Sequence, residues 1–382
     1  MSRRQIGTTA RFVNEIGYGS MSLSLNRESR PSEAEAISLL QRMVDELGVE
    51  FIDTADSYAH DDTEIGHGER LIAKALTGER RQRVMIATKG GFIRPGGSWK
   101  PDGRPEHLRA ACEASLRALG TDCIDLYQFH TPDPAVPLEE SLGVLVEMQG
   151  EGKIRHIGAS NLRRSQLEAA LDVADIVSLQ NPLSFMFYDD ERAELLKLCE
   201  ERGITWIAYA PLGGHRNAHR MYEYAEWVDE YLPSLNGRLY TAALAWLLQL
   251  SHAIIPIPAT TRFEHLIANM EAANLTLTDS EMEWLPKAQS CDELYHAAMQ
   301  QGDYDRAESL MRQVLQSEPG HPIAWYCLAC TYSLAGRKDQ ALDAWATAVT
   351  HGFADATHAR QDTDLDPIRS EPAFQEVLER IS

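Results

Sequence analysis

FIDTADSY, residues 51–58, opens as a strand entering a core and closes with two carboxylates and a phenol. Phe51 and Ile52 suit a buried strand, yet Asp53, Asp56 and Tyr58 follow at once. In parallel α/β folds, chemistry collects at the carboxyl ends of buried strands, so this stretch points to a strand that delivers ionisable groups to a rim.

Outward from it, β-branched and aromatic runs recur. The expected strands lie near residues 16–21, 50–55, 83–89, 124–130, 154–160, 175–180, 205–210 and 253–259. The segments between them carry helix signals. Ser32-Glu33-Ala34-Glu35 and Ser165-Gln166-Leu167-Glu168 read as capping boxes. Pro105 suits a first helical turn, and residues 190–202 are amphipathic. Strands alternating with helices imply a parallel sheet covered on both faces. Eight such repeats predict an α/β fold, a (β/α)8 TIM barrel. The competing open sheet has weak support, because Gly17-Tyr18-Gly19-Ser20-Met21-Ser22 lacks the third glycine of a dinucleotide fingerprint.

In a barrel, Asp53 and Tyr58 follow strand two, Lys89 ends strand three and His130 ends strand four. Four ionisable side chains then share one rim. A phenol titrates near pH 10 (about 10) and needs help to donate a proton at neutral pH. An ammonium at Lys89 lowers that value, and Asp53 keeps Lys89 charged. His130 can steer a bound oxygen toward Tyr58. The set suits protonation of a carbonyl oxygen as hydride reaches its carbon.

FIDTADSY, ATKGG (87–91), LYQFH (126–130), GASN (158–161) and IAYAPLGG (207–214) occur in order on successive expected strands, and together resemble the aldo-keto reductases over about residues 10–285. The resemblance implies a barrel using NADPH, less often NADH, with no metal in the reaction. It implies a catalytic tetrad at Asp53, Tyr58, Lys89 and His130. It places Ser20, Met21 and Asp53 among the cofactor-binding residues, with the nicotinamide carboxamide on Ser160, Asn161 and Gln180 and its ring over Tyr209. Pro211, Leu212 and Gly213 would face the pyrophosphate. Ala259, Thr261, Arg262, His265 and Asn269 would meet the adenosine end. Arg262 suits a 2′-phosphate, since a guanidinium grips phosphate with a fork of donors, so NADPH is expected over NADH. Ala259 stands where the family usually has glycine, and Ala268 where an acid is common; both bear on cofactor preference. The implied substrate is a small aldehyde or ketone, with aryl aldehydes and pyridoxal-like molecules among the classes. Phe92, Trp99 and the loops at 22–30 and 213–236 are its expected surroundings.

Residues 1–286 account for the barrel, and Thr278-Asp279-Ser280-Glu281 starts its last helix. Residues 287–382 form a separate all-α domain. Gly302 and Ala307 recur as Gly336 and Ala341, a period of 34 residues. Trp325, Leu328, Ala329, Tyr332, Trp345 and Ala348 complete a tetratricopeptide-like repeat in the second copy. The first copy, 288–321, fits loosely. Trp325, Tyr332 and Trp345 are expected between repeats, with 372–381 as a closing helix. Two readings stay open: a groove that docks a protein partner through residues 288–382, or an appendage packed on its own barrel.

Several motifs are discounted. Cys327-Leu328-Ala329-Cys330 lies inside a repeat helix without a second pair. Asp362-Thr363-Asp364-Leu365-Asp366 opens like a calcium loop but has Pro367 and Ala373 where glycine and glutamate belong. His215 and His219 lack a metalloprotease glutamate. His60, Asp61, Asp62, Glu64 and His67 read as a solvated rim.

The net charge of −21 would repel phosphate backbones and anionic lipid, so nucleic acid and membrane are excluded as partners. The start, MSRRQIGTTARF, lacks the apolar core of a signal peptide, and six cysteines in 382 residues are too sparse for a disulfide scaffold. A cytoplasmic location is expected. The leading expectation is an NADPH-dependent carbonyl reductase with Tyr58 as general acid. The alternatives are an NADPH-binding redox sensor or scaffold whose repeats dock a partner, and a biosynthetic enzyme whose repeats hold a carrier.

Overall fold

The computed structural model describes the chain except for Met1, Asn26, residues 215–220, 222, 223, 225, 226, 229 and 231, residues 288–290, Ser382, and the side chain of residue 317. The strand runs named above become eight parallel strands: β1 (Tyr18–Gly19), β2 (Phe51–Asp53), β3 (Met85–Gly90), β4 (Ile124–Phe129), β5 (Ile154–Ser160), β6 (Ile176–Pro182), β7 (Thr205–Tyr209) and β8 (Ile254–Pro256). Each pairs with the next in sequence order. Gly17 N–H donates to Pro256 O (3.0 Å) and Gly19 N–H to Pro258 O (3.2 Å), which joins β1 to the β8 segment and closes a TIM barrel. The seam requires glycine: a Cβ on Gly19 would stand 2.9 Å from Ile257 O.

The strand register sorts the barrel interior into layers. Asp53 pairs with Ala87, Lys89 with Gln128, Gln128 with Gly158, and Ser160 with Gln180. Because side chains alternate faces, the inward positions of β2 to β6 follow from these pairs. The lower layer is apolar, built from Ile6, Val13, Phe51, Met85, Ala87, Leu126, Val177, Ile207, Ile255 and Ile257. Above it lies a buried polar layer of Asp53, Lys89, Gln128, Ser160, Ser178 and Gln180. Gly158 makes room for that layer, since a Cβ there would meet Ser178 Oγ at 2.3 Å and Gln128 Cγ at 2.8 Å. The N-terminal hairpin, Arg3–Gln5 with Phe12–Asn14, lies below. Arg4 donates from it to the carbonyls of Ser251 and Leu248 (both 2.5 Å) and of Ile254.

The helices start largely where their signals stand. Ser32 and Glu35 form a reciprocal capping box on helix Glu33–Asp45, worth about 1 kcal/mol. Thr278 and Glu281 do the same for Asp279–Trp284. Pro105 occupies the first turn of Pro105–Leu119, and Asp190–Arg202 buries Leu195, Leu196 and Leu198. One expected cap is displaced. The helix near Ser165 begins at Arg164, and Gln166 accepts from the Arg163 N–H at 3.0 Å. Ser165 therefore lies inside the helix, where it cannot reach an orphan N–H.

The chain divides into two compact units, Met1–Ala218 with Arg238–Pro286, and His219–Gly237 with Lys287–Ser382. In the second unit, helices Cys291–Gln301, Tyr304–Ser317, Pro322–Leu334 and Lys338–Thr350 form two helical pairs. Gly302 and Gly336 end the first helix of each pair at φ 73° and 72°, a conformation that costs glycine little. Ala307 and Ala341 are fully buried. Trp345 is fully buried and stacks on Phe374 of helix Pro372–Glu379, with ring centroids 5.2 Å apart. Trp325 departs from expectation. It is half-buried with its ring N–H on Pro319 O (2.9 Å), and Tyr326 takes the interior place, stacked on Phe353. Among the described residues, no helix is long and apolar enough to cross a membrane.

Candidate active site at the barrel rim

The polar layer converges on Lys89. Its Nζ donates to Asp53 Oδ1 (2.6 Å), Thr54 O (2.8 Å) and Tyr58 Oη (3.1 Å), so all three ammonium hydrogens have acceptors. Asp53 Oδ2 accepts from Gln180 Nε2 (2.7 Å) and Gln128 Nε2 (3.2 Å). Asp53 and Lys89 are fully buried. The backbone of FIDTADSY turns immediately after β2: Asp56 N–H donates to Lys89 O and Tyr58 N–H to Ala55 O. That turn brings the phenol back over the ammonium.

The electrostatics of the trio correct one expectation. Burial raises the Tyr58 pKa, Lys89 lowers it and Asp53 raises it again; the net direction is upward, not downward. Asp53 cancels much of the ammonium's field, and the site excludes the water that would stabilise a phenolate. Burial opposes the charge on Lys89, but Asp53 and Tyr58 outweigh it and hold the lysine cationic. Burial pushes the Asp53 carboxyl up, against the pull of Lys89, Gln180 and Gln128.

His130 is buried, and its Nδ1 lies 3.4 Å from Ser57 Oγ. Burial and then the Lys89 charge hold it well below the ordinary histidine range, so it is neutral. With Nδ1 facing Ser57, Nε2 is left for another partner. Aromatic rings surround this corner. Phe92 meets His130 edge to face (4.7 Å between centroids) and Trp99 (5.2 Å), and Trp99 meets Tyr58 (6.4 Å). The short hairpin Phe92–Ile93 with Lys100–Pro101 brings these rings to the rim. Arg94 lies over Trp99 at 3.9 Å from its centroid.

Beyond the trio, β5 to β7 form a second wall. Ser160 Oγ donates to Gln180 O (2.7 Å). Asn161 has φ 59°, a left-handed conformation that asparagine tolerates better than most residues. It donates from Nδ2 to His130 O (2.9 Å) and accepts the Tyr209 hydroxyl on Oδ1 (2.8 Å). Asn161 thus ties the wall to the His130 corner. Ala210 also has positive φ (53°), a strained conformation for alanine, and it starts the turn through Pro211, Leu212 and Gly213. At the end of β1, Ser20 Oγ is buried without a hydrogen-bond partner among the described residues, and Met21 begins a single 3-10 turn.

The corner after β8 is open. Ala259, Thr261, Arg262 and His265 are exposed, and Asn269 is buried. Arg262 stands at the N-cap position of helix Phe263–Glu271 without a side-chain cap bond, and among the described residues its nearest acid is Glu264 at 4.0 Å. Among the other motifs, Glu64 is committed to Arg30 (2.8 Å) and Arg27 (2.9 Å), which pull its carboxyl to about 2. His215 and His219 lie outside the described residues. Sequence reasoning missed Gln128, and it assigned Gln180 to a cofactor without its bond to Asp53. The available signal was an uncharged amide in each of the apolar runs DLYQF and IVSLQ.

The aldo/keto reductase family model matches residues 15–289, and a tetratricopeptide repeat model matches residues 298–357. An uncharacterised oxidoreductase of Schizosaccharomyces pombe is 34% identical over 268 residues, covering 70% of this chain and 83% of that protein. A thermostable aldo-keto reductase, Tm1743, solved with the inhibitor epalrestat, superposes with a TM-score of 0.62 at 31% identity. That match covers 75% of this chain and 99% of the other. An aldo-keto reductase from Klebsiella pneumoniae in complex with NADPH superposes with a TM-score of 0.62 at 25% identity, over 75% of this chain and 95% of its own.

Proposed function

We propose that this chain, which belongs to the aldo/keto reductase family, is an NADPH-dependent reductase of a small aldehyde or ketone, with Tyr58 as general acid. The observation that carries the reading is the buried chain Asp53–Lys89–Tyr58, with the phenol 3.1 Å from the ammonium.

Bound NADPH would supply the hydride to the carbonyl carbon. The residues fit it: a buried, unpartnered Ser20 hydroxyl, an Asn161 amide pinned by Tyr209 and His130, and an exposed Arg262 guanidinium suited to a 2′-phosphate. Ser160, Gln180 and Tyr209 would hold the nicotinamide end, Pro211 to Gly213 the pyrophosphate, and Ala259, Thr261, His265 and Asn269 the adenosine end.

Tyr58 delivers its proton to the carbonyl oxygen. Its raised pKa keeps the phenol protonated at neutral pH, so the acid is always loaded. Once the proton leaves, the phenolate stands beside Lys89, whose charge stabilises it in a water-poor site. His130, neutral and held at Nδ1 by Ser57, offers Nε2 to the same oxygen and fixes its direction. Phe92 and Trp99 supply a flat apolar wall suited to an aryl or pyridoxal-like carbonyl.

The tetratricopeptide match favours a second role, docking of a protein partner through residues 288–382.

The test is loss of NADPH absorbance with a panel of carbonyls that includes aryl aldehydes and pyridoxal. Turnover should fall at least 1000-fold, on the order of 4 kcal/mol, in Tyr58→Phe with NADPH binding unchanged. Tight NADPH binding without turnover on any carbonyl would favour the sensor or scaffold.

A further inference from the structure

The aromatic corner of the rim is held from behind by one buried arginine. Arg94 follows Phe92–Ile93 in the rim hairpin and is only 4% exposed. Its Nη2 donates to Gly97 O (2.7 Å) in the hairpin's turn and to His60 O (3.2 Å), two residues beyond Tyr58. Its own carbonyl accepts the Asp62 N–H (3.1 Å) and the Gly97 N–H (3.0 Å). These bonds lash the hairpin to the loop that carries Tyr58. We propose that Arg94 is a specificity-determining positioning residue, which clamps Trp99 as a rigid wall beside Tyr58 and thereby selects aryl carbonyls over short aliphatic ones. The inference rests on the reductase reading of the site and deepens it.

The rest of the guanidinium has no oxygen to meet. Nε and Nη1 are buried and find no hydrogen-bond partner among the described residues. No carboxylate among them pairs with Arg94: Asp61, the acid whose charge favours it, lies with Arg27 at 3.8 Å. A buried cation stripped of water is costly unless something compensates it. The indole does so. Arg94 Cζ lies 3.9 Å from the Trp99 ring centroid, and cation–π attraction is strongest where water is excluded. At that distance the guanidinium sits against a ring face, since approach along the ring edge would hold its carbon farther off.

Trp99 is 42% exposed. An exposed side chain at a hairpin turn gains little by holding one rotamer, and its entropy opposes doing so. Here one face is taken by Arg94, so the exposure belongs to the rest of the ring. That ring stands nearly perpendicular to Tyr58 (79°), His130 (77°) and Phe92 (77°), with centroids 6.4, 6.2 and 5.2 Å away. A flat substrate that packs on it meets a surface already ordered and loses less entropy on binding. A short aliphatic carbonyl is too small to use the wall. Gly97 belongs to the same device. Its φ of 86° is left-handed, and a Cβ there would lie 3.2 Å from His60 O, so glycine lets the turn close on the loop.

The test compares benzaldehyde and propanal as substrates of the full-length chain with NADPH. In Arg94→Met, the ratio of kcat/KM for benzaldehyde to that for propanal should fall at least tenfold, with most of the loss in KM. Trp99→Leu should give the same fall, and the double variant should lose no more than either single change. A second readout needs no turnover. Acrylamide quenching of the Trp99 emission, taken as the difference that Trp99→Phe makes, should rise at least twofold in the Arg94→Met background. An unmoved ratio, an equal loss on both substrates or unchanged quenching overturns the proposal and leaves the reductase standing. Trp99→Leu alters an exposed side chain, so an unmoved ratio there is decisive even where Arg94→Met fails to fold. Wild type that turns over neither aldehyde overturns this selectivity, and the wider carbonyl panel then decides the reductase reading by itself.

Discussion

At the rim of β2 to β4, the Lys89 and Asp53 side chains are 0% and 1% exposed and bonded at 2.6 Å. At the corner after β8, Arg262 is 66% exposed and its nearest acid is 4.0 Å away. Both regions are charged, yet one is buried and internally paired and the other is solvated. The contrast fits the roles proposed for them. A group that stabilises developing charge works best when its dipoles are fixed and water is absent. A group that grips a remote phosphate contributes binding energy and can stay solvated until used.

The largest test of the contrast is Lys89→Met. It strands Asp53 as a buried, unpaired carboxylate, which should cost about 3–5 kcal/mol of stability by denaturant unfolding. Turnover should fall at least 100-fold, about 2.7 kcal/mol. The double variant Asp53→Asn with Lys89→Met should recover most of the stability and none of the turnover. Recovered turnover would reduce the pair to a structural clamp. The pH profile adds a sign. The reducing acid is lost only as pH rises through the Tyr58 pKa, which lies above the ordinary value of about 10. Wild-type reduction should therefore be flat through neutral pH, and removing the Lys89 charge should move any alkaline limb higher, not lower.

Arg262→Ala probes the open corner. The dissociation constant for NADPH should rise roughly tenfold, about 1.4 kcal/mol, with that for NADH unchanged and thermal stability intact. Equal losses for both cofactors would place the 2′-phosphate elsewhere. The smallest effect concerns His130. Its folded pKa lies well below its unfolded one, so it contributes stability above the unfolded value of about 6.5 and loses it as pH falls below that. Between pH 6.5 and 5.5, the unfolding free energy of wild type should drop by up to about 1.4 kcal/mol more than that of His130→Gln. Parallel pH curves would mean that His130 titrates in the fold as it does in the unfolded chain.

Much of the rim was readable in advance. Asp53, Lys89 and His130 each stand at the end of an apolar run, and sequential strand order brings neighbouring ends together. The electrostatic sign at Tyr58 was not readable, because it depends on how much of the Lys89 field Asp53 cancels and how much water is excluded. Gln128 was missed for a related reason: an amide in a strand becomes informative only when register points it at Asp53. The cap at Arg163 is a two-residue shift from Ser165 and the exchange of Trp325 for Tyr326 a one-residue shift, both decided by which face each helix turns inward.

The sequence by itself determined the eight strand–helix repeats, the ionisable ends of the strands and the 34-residue helical repeat, because periodicity and capping are local properties. Only the tertiary structure decided that Asp53 is held by two amides, that Tyr58 titrates upward, and that Arg94 ties the Trp99 hairpin to His60. Those outcomes rest on distances between residues far apart in the chain, and burial amplifies each of them by removing the water that would otherwise screen it.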